Sequence, residues 1–363
     1  MGQKRKSQTS NKSSIVNRQS SILPSIGIGI LGCGNVARVH AEAIGRVPAL
    51  KLVSVCSRSP ESAGRFGEQY GAVPYTDLEE FFANTALQSV SICTPNGTHA
   101  DLGSAAALMG KHVLVEKPID VTLDKADDLI EACARADVRL GVSFQSRFLD
   151  APRILKQAVE ENRLGKLVMA SAYVKWYRTD DYYASARWRG TLALDGGGAL
   201  INQAIHTVDL LRWIAGPIAS LSAFSDTILH PQIEGEDTLV ATLRFRSGAL
   251  GVIEAATSVY PGFKRRVEIT GTEGTAVLDG DNITTWALRD GSPNPSPPGG
   301  EISDGSANPM AIDCEGHRRV MEDFAAAIKE DRPPSVDGRE GRQALETVLA
   351  IYRSVREKSP ISL

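Results

Sequence analysis

Along the chain from residue 26, short unbroken apolar runs alternate with stretches in which apolar residues recur every three or four positions. IGIGILG (26–32), LKLVSVCSRS (50–59), LQSVSICTPNGTH (87–99), KHVLVEKPI (111–119) and VRLGVSFQSRF (138–148) have the first pattern, that of buried strands. NVARVHAEAIGRV (35–47), SAGRFGEQYG (62–71), HADLGSAAALMG (99–110) and TLDKADDLIEACARAD (122–137) have the second, and VPYTDLEEFFAN (73–84) leads into a further helix. Strand and helix alternating at this interval predict a doubly wound parallel sheet with right-handed crossovers.

After about residue 150 the pattern changes. One helix (APRILKQAVEENRLG, 151–165) is followed by long alternating segments at 167–178, 218–228, 235–258, 263–280 and 282–288. Turns such as RSGAL and GTEGT separate them, which predicts a mostly antiparallel sheet. Helices are expected after the glycine run at 196–198, at 317–331 and at 341–357. The Pro-, Gly- and Ser-rich stretch 289–310 reads as a loop.

The chain of 363 residues is too long for one ordinary core. The expected division is a basic tail (1–21), a dinucleotide-type domain (22–148) and an α+β domain (149–363). The tail holds five basic and no acidic residues, so the remainder carries −8 against −3 for the whole chain. That is no footprint for nucleic acid, and the tail itself reads as disordered. No apolar run approaches the ~20 residues that span a bilayer. The five cysteines are scattered without metal-ligand spacing, which suggests buried free thiols in a reducing cytoplasm.

Between the first strand and helix lies Gly32-Cys33-Gly34-Asn35-Val36-Ala37, a G-x-G-x-x-A turn in the context that a dinucleotide site requires. Gly32 makes the turn, Gly34 lets a pyrophosphate approach the helix N-terminus, and Ala37 lets the helix pack on the strand. The second strand ends in Ser57-Arg58 rather than the acidic residue that usually takes ribose hydroxyls. A hydroxyl and a guanidinium suit a 2′-phosphate, so NADP is favoured over NAD. Two more segments end at the ligand-binding edge of such a sheet: CTPNGTHA (93–100), with Thr94, Pro95, Asn96 and His99, and VLVEKPID (113–120), with Glu116 and Lys117.

The segments GILGCGNVARVHAEA, SICTPNGTHADL, VLVEKPI and GGGALINQAIHTVDLLRW resemble, in this order, the Gfo/Idh/MocA family, the glucose–fructose oxidoreductase and inositol dehydrogenase relatives. The resemblance covers nearly all of the chain from residue 25. It implies a Rossmann dinucleotide-binding domain followed by an α+β domain whose large open sheet binds substrate and builds homodimers or homotetramers. It implies that Lys117 is catalytic and that His206 sits over the substrate. Many members have aspartate where Asn202 stands, and an amide cannot trade protons at neutral pH. The NQ-x-x-H version resembles the branch acting on C3 of sugar nucleotides, sugar phosphates and glycosides.

On the helix after the glycine run, Asn202 and His206 are four residues apart and share a face, with Asp209 one turn on. Asp209 either orients the imidazole or serves as a cap or salt-bridge partner. Oxidation of a secondary alcohol needs a base. Lys117 would need its pKa lowered, whereas the unperturbed imidazole already titrates near neutrality, so His206 is favoured. The stretch 173–190 is dense in aromatic and basic residues, and Trp176, Arg178, Tyr182, Tyr183, Trp188 and Arg189 are candidates to bind a sugar. Arg147 is another. Two other classes remain: a sensing protein of the same fold, against which the joint presence of Lys117 and His206 argues, and a nucleic-acid role for the tail.

Overall fold

In the computed structural model every residue of β1 (Ile26–Leu31) is buried, as expected of a strand covered by helices on both faces. The structure describes residue 2, residues 25–295 and residues 314–363. The tail at 1–21 and most of the loop expected at 289–310 lie outside the described residues. β1 is followed by α1 (Asn35–Gly45), β2 (Leu50–Cys56), α2 (Pro60–Tyr70), β3 (Val73–Tyr75), α3 (Leu78–Ala83), β4 (Ser89–Ile92), α4 (His99–Leu108), β5 (His112–Val115), α5 (Leu123–Arg135) and β6 (Leu140–Val142). The strands form one parallel sheet in the order β3-β2-β1-β4-β5-β6, so β1 and β4 flank the point where the winding reverses. Local sequence explains the helix starts. Ser59, Asp77 and Thr122 each accept a backbone N–H from their own first turn, and Pro60 follows Ser59 at a position where its missing N–H costs nothing. The short edge strand β3 contains Pro74, which an edge tolerates.

The second half holds α6 (Asp150–Glu160), β7 (Leu167–Lys175), a short α7 (Asp180–Ala184), α8 (Ile205–Ala215), β8 (Ile218–Asp226), β9 (Thr238–Phe245), β10 (Leu250–Ala256), β11 (Arg266–Gly271), β12 (Gly274–Asp279), β13 (Asn282–Leu288), α9 (Glu315–Lys329), α10 (Gly338–Glu357) and β14 (Ile361–Ser362). Its eight strands run β13-β12-β11-β7-β10-β9-β8-β14. The sheet is antiparallel except where β7 and β10 pair in parallel. Alternation along β9, whose odd-numbered leucines and alanine are buried, shows one covered face and one open face. α9 packs on α1, and α10 lies across α5, β6, α8 and β8, so the C-terminal helices hold both sheets together. Cys33, Cys56, Cys93 and Cys133 are free thiols, all but Cys33 buried, and Cys314 is buried as well.

Where β6 ends, Arg147 enters the interior rather than a ligand site. Its Nε and Nη2 donate to the two carboxylate oxygens of Asp209 on α8 at 2.7 and 2.5 Å. Its Nη1 donates to Glu340 on α10 at 2.7 Å, and the guanidinium lies over Trp213. Arg147 is thus engaged inside the protein and does not line the cavity, against the expectation that it binds substrate, and Asp209 is its salt-bridge partner, not a partner of His206. The planar guanidinium matches the carboxylate fork and satisfies both charges out of water.

Arg147→Ala leaves the Asp209 carboxylate buried without its partner. It should cost about 3–5 kcal/mol in urea unfolding, and Arg147→Met with Asp209→Leu should recover most of that loss. The affinity of the folded variants for substrate should not change. A raised KM at unchanged stability would return Arg147 to the binding site.

Candidate active site

A cavity of about 1110 Å³ lies between the carboxyl ends of the parallel strands and the start of α8. On one side is the glycine turn. Gly32 has φ +103°, and a Cβ there would fall 2.5 Å from the Cys93 carbonyl oxygen, so only glycine fits. A Cβ on Gly34, by contrast, would meet no protein atom within 4 Å, which leaves its backbone open to a ligand. Gly34 caps α1 without a side chain, and Asn35 and Val36 line the cavity at this helix N-terminus. Ser57 and Arg58 line it from the end of β2, Thr94, Pro95 and Asn96 from the end of β4, and Glu116 and Lys117 from the end of β5. The residues present thus fit a dinucleotide. His99 lies outside the cavity: its ring nitrogens sit 2.8 Å from the Pro118 carbonyl and 2.9 Å from the Thr94 carbonyl. It braces the two ligand-facing turns from behind.

The opposite wall is aromatic and basic. The Arg178 guanidinium lies 4.9 Å from the Trp176 ring and 5.4 Å from the Tyr182 ring. The Arg189 guanidinium stacks 4.2 Å from Tyr182 and 5.2 Å from Trp188. Tyr182 is thereby held between two cations, which the negative face of its ring favours. Tyr183 lies behind this wall, buried, its hydroxyl 2.7 Å from that of Thr257 and its ring against His230. Of the adjacent tyrosines, Tyr182 therefore faces the cavity and Tyr183 does not.

The glycine run acts on packing more than on ligand approach. A Cβ on Gly198 would lie 1.8 Å from the Glu236 carbonyl oxygen, and one on Gly197 would lie 2.4 Å from the Tyr352 hydroxyl. The Glu236 side chain accepts from the N–H groups of Gly198 and Leu200 and from the Tyr352 hydroxyl. Burial pushes that carboxyl up to about 7. The chain then passes through a widened π-helical turn (Ala199–Ala204) before α8 begins, the kind of irregularity that recurs at functional sites.

In this turn the Asn202 carbonyl accepts from Lys117 Nζ at 2.8 Å. The Asn202 amide donates to Asp195 and accepts from Gln203. Gln203 in turn accepts from Arg178 at 2.8 Å and donates to the Tyr182 hydroxyl at 2.8 Å. His206 lines the same cavity, edge-on to Phe144, and its buried Nδ1 has no hydrogen-bond partner among the described residues. Burial, reinforced by the Lys117 charge, pushes the imidazole well below its ordinary value. This departs from the expectation of an unshifted histidine, because the site removes the water that would stabilise imidazolium. Burial also lowers Lys117, while the charges of Glu116 and Asp195 pull it back up.

Behind Lys117, Glu116 meets two histidines. His40 Nε2 is 2.7 Å from its carboxylate, and His317 Nε2 from α9 is 3.7 Å away. Burial pushes Glu116 up, but the nearby His317 and the hydrogen-bonded His40 outweigh it and hold the carboxyl well below its usual range. The three ligand-type atoms lie within 4.8 Å of one another. The 2.7 Å contact is a hydrogen bond, since two ligands around one tetrahedral zinc stand roughly 3.3 Å apart. His317, Arg265, Gln145, Ser146 and Gln203 all line the cavity without having been singled out in the sequence. Only Gln203 carried a signal, its place beside Asn202.

Residues 26–144 match the model of the oxidoreductase family with an NAD-binding Rossmann fold, and residues 153–277 match the GFO/IDH/MocA C-terminal domain. The WlbA dehydrogenase from Bordetella pertussis, solved in complex with NADH and UDP-GlcNAcA, is 33% identical with a TM-score of 0.83, over 94% of this chain and 99% of that one. Aldose-aldose oxidoreductase from Caulobacter crescentus, complexed with glycerol, is 26% identical with a TM-score of 0.80, over 94% and 100% of the two chains. Myo-inositol 2-dehydrogenase from Thermotoga maritima is 28% identical over 93% of this chain and 98% of its own length. Two family models that together take in most of the chain, and these likenesses over nearly its whole length, place the protein in the Gfo/Idh/MocA family of NAD-binding oxidoreductases.

Proposed function

We propose that this oxidoreductase acts on the C3 hydroxyl of a sugar nucleotide, sugar phosphate or glycoside that carries an acidic group. The observation that carries the reading is the wall of Arg178 and Arg189, interleaved with the rings of Trp176, Tyr182 and Trp188, with Lys117 on the other side of the same cavity. Aromatic faces suit the C–H faces of a sugar, and guanidinium forks suit a carboxylate or phosphate. The likeness to a dehydrogenase solved with UDP-GlcNAcA supports the same class.

Bound nicotinamide would supply the acceptor for the hydride that leaves the carbinol carbon. The protein's own part is the proton. His206, kept neutral by burial, takes it from the hydroxyl as the carbon–oxygen double bond forms. Lys117, held by the Asn202 carbonyl, is positioned to polarise the same oxygen. Ser57 and Arg58 at the end of β2 support NADP over NAD, although the WlbA dehydrogenase was solved with NADH. Exposed Met169, Phe224, Val240 and Leu250 on the strands of the large sheet support a homodimer or homotetramer built through it. Among the described residues no helix is long and apolar enough to cross a membrane, and the free thiols support a cytoplasmic location.

The reading is tested with a panel of uridine diphosphate sugars that differ only in bearing a carboxylate or a hydroxymethyl group. Reduction of added NADP or NAD should favour the acidic sugar by at least about tenfold in kcat/KM, and Arg178→Met or Arg189→Met should erase that preference. Equal turnover of both sugars would remove the acidic group from the reading.

Cofactor choice rests on Arg58. Arg58→Asp should weaken NADP binding by about 1.5–3 kcal/mol, roughly ten- to a hundredfold, and move preference toward NAD. A wild-type protein that already prefers NAD, with no effect of the substitution, would contradict the assignment.

The pH profile rests on His206. Oxidation should slow as pH falls through the imidazole pKa, because imidazolium has no lone pair to accept the proton, and the limb should lie below about 6.5. His206→Asn should lower kcat/KM by roughly 10²–10⁴ and flatten that limb. A limb that survives unchanged would move the base to Lys117.

A further inference from the structure

Asp195 opens the glycine run and takes no part in the proton transfer assigned to His206. It is buried, yet it gathers donors from three parts of the chain. Its Oδ1 accepts from Asn96 Nδ2 at 3.0 Å and from Asn202 Nδ2. Its Oδ2 accepts from the Gly190 N–H at 2.7 Å, and its own carbonyl takes a second contact from Asn96 Nδ2 at 3.0 Å. Asn96 belongs to the cofactor side, at the end of β4. Gly190 directly follows Arg189 of the aromatic and basic wall. Asn202 carries the carbonyl that holds Lys117. We infer that Asp195 is a positioning residue of the dehydrogenase: one carboxylate that fixes Asn202 against Lys117 and sets its negative charge among the groups that face that lysine.

The chemistry of its partners supports this role. The carboxylate accepts its hydrogen bonds from the neutral amides of Asn96, Gly190 and Asn202, so its negative charge is not cancelled at the point of contact. The charged and titratable groups around it are Lys117 and Arg189, with the phenols of Tyr182 and Tyr183. Facing Lys117 are Asp195, Glu116, Arg189 and His206. Glu116 is already engaged by His40 at 2.7 Å. Glu116 and, after it, Asp195 are the two carboxylates whose charges act on the ammonium, and Asp195 is the one that also holds Asn202 against it. Burial pushes its own carboxyl up to about 6, against the pull of its N–H and amide donors and of Lys117. In an interior of low dielectric, an opposite charge held at such a site moves a neighbour's pKa by ~1–3 units.

The inference rests on the site being that of a dehydrogenase, but its test does not need turnover. The rate of Lys117 acylation by an amine-reactive reagent, followed by peptide mass spectrometry across pH, reports the lysine pKa in the full-length protein. Asp195→Asn should lower the Lys117 midpoint by ~1 unit or more. It should move the alkaline limb of kcat/KM down by the same amount and reduce kcat at least tenfold, with cofactor affinity changed less than about threefold. Asn202→Asp alone should also impair turnover, because it sets two carboxylates on one hydrogen bond. Asp195→Asn with Asn202→Asp restores one carboxylate and one amide and should bring the Lys117 midpoint back toward wild type. If Asp195→Asn does not fold, the double variant carries the test: a midpoint at the wild-type position supports the role, and one displaced downward overturns it. A Lys117 midpoint unmoved in folded Asp195→Asn reduces Asp195 to a packing residue. A wild-type protein with no sugar dehydrogenase activity, but with the midpoint shift intact, would instead overturn the proposed reaction and leave the charge coupling standing.

Discussion

The hydrogen bond from Lys117 Nζ to the Asn202 carbonyl, 2.8 Å long, is where the two halves of the molecule become one site. The lysine stands at the tip of β5, and the carbonyl belongs to the π-helical turn ahead of α8. A lysine directed into a cavity loses hydration that it must replace, and a backbone carbonyl in a widened helical turn is a fitting partner. The turn is held in place by glycines packed against Glu236 and Tyr352. Sheet end, glycine run and helix start thus constrain one another, and the cavity is what remains between them.

Within that frame, charges divide into two sets. Arg147 and Asp209 satisfy each other in the interior, with the partly exposed Glu340 of α10 as a further partner, and their work is to hold the C-terminal helices against the rest. Glu116 is similarly enclosed by His40 and His317. The cavity-facing set is Lys117, Arg178 and Arg189, with Asp195 beneath. The same physics of desolvation governs both sets. The first set is enclosed by its own partners, while the second lines the cavity, where the proposed acidic substrate would lie.

Much of this was legible in the sequence because it depends on local pattern. The buried-strand runs, the G-x-G-x-x-A turn and the placement of Lys117 at a strand end follow from periodicity and from what proline and glycine permit. The parallel sheet and the mostly antiparallel second sheet appear as expected. Long-range choices were not legible. Arg147 and Arg178 are the same residue type near strand ends, and only the fold reveals that one meets Asp209 and the other lines the cavity. Tyr182 and Tyr183 are adjacent, and the turn of a short helix decides which faces the ligand. His317 reaches the site from a helix far along the chain from Lys117, with no spacing to announce it. The π-helical turn, which sets the angle of Asn202, leaves no signature that distinguishes it from an ordinary helix start.

The central claim is that hydride passes from a sugar carbon to nicotinamide in the cavity between β5 and α8. The most direct measurement uses a uridine diphosphate sugar acid deuterated at C3, incubated with the protein and oxidised NADP or NAD. Mass spectrometry of the reduced cofactor should show one deuterium per turnover, with slower turnover than for the unlabelled sugar when hydride transfer limits the rate. Reduced cofactor that carries no deuterium, or label retained in an oxidised sugar, would contradict it.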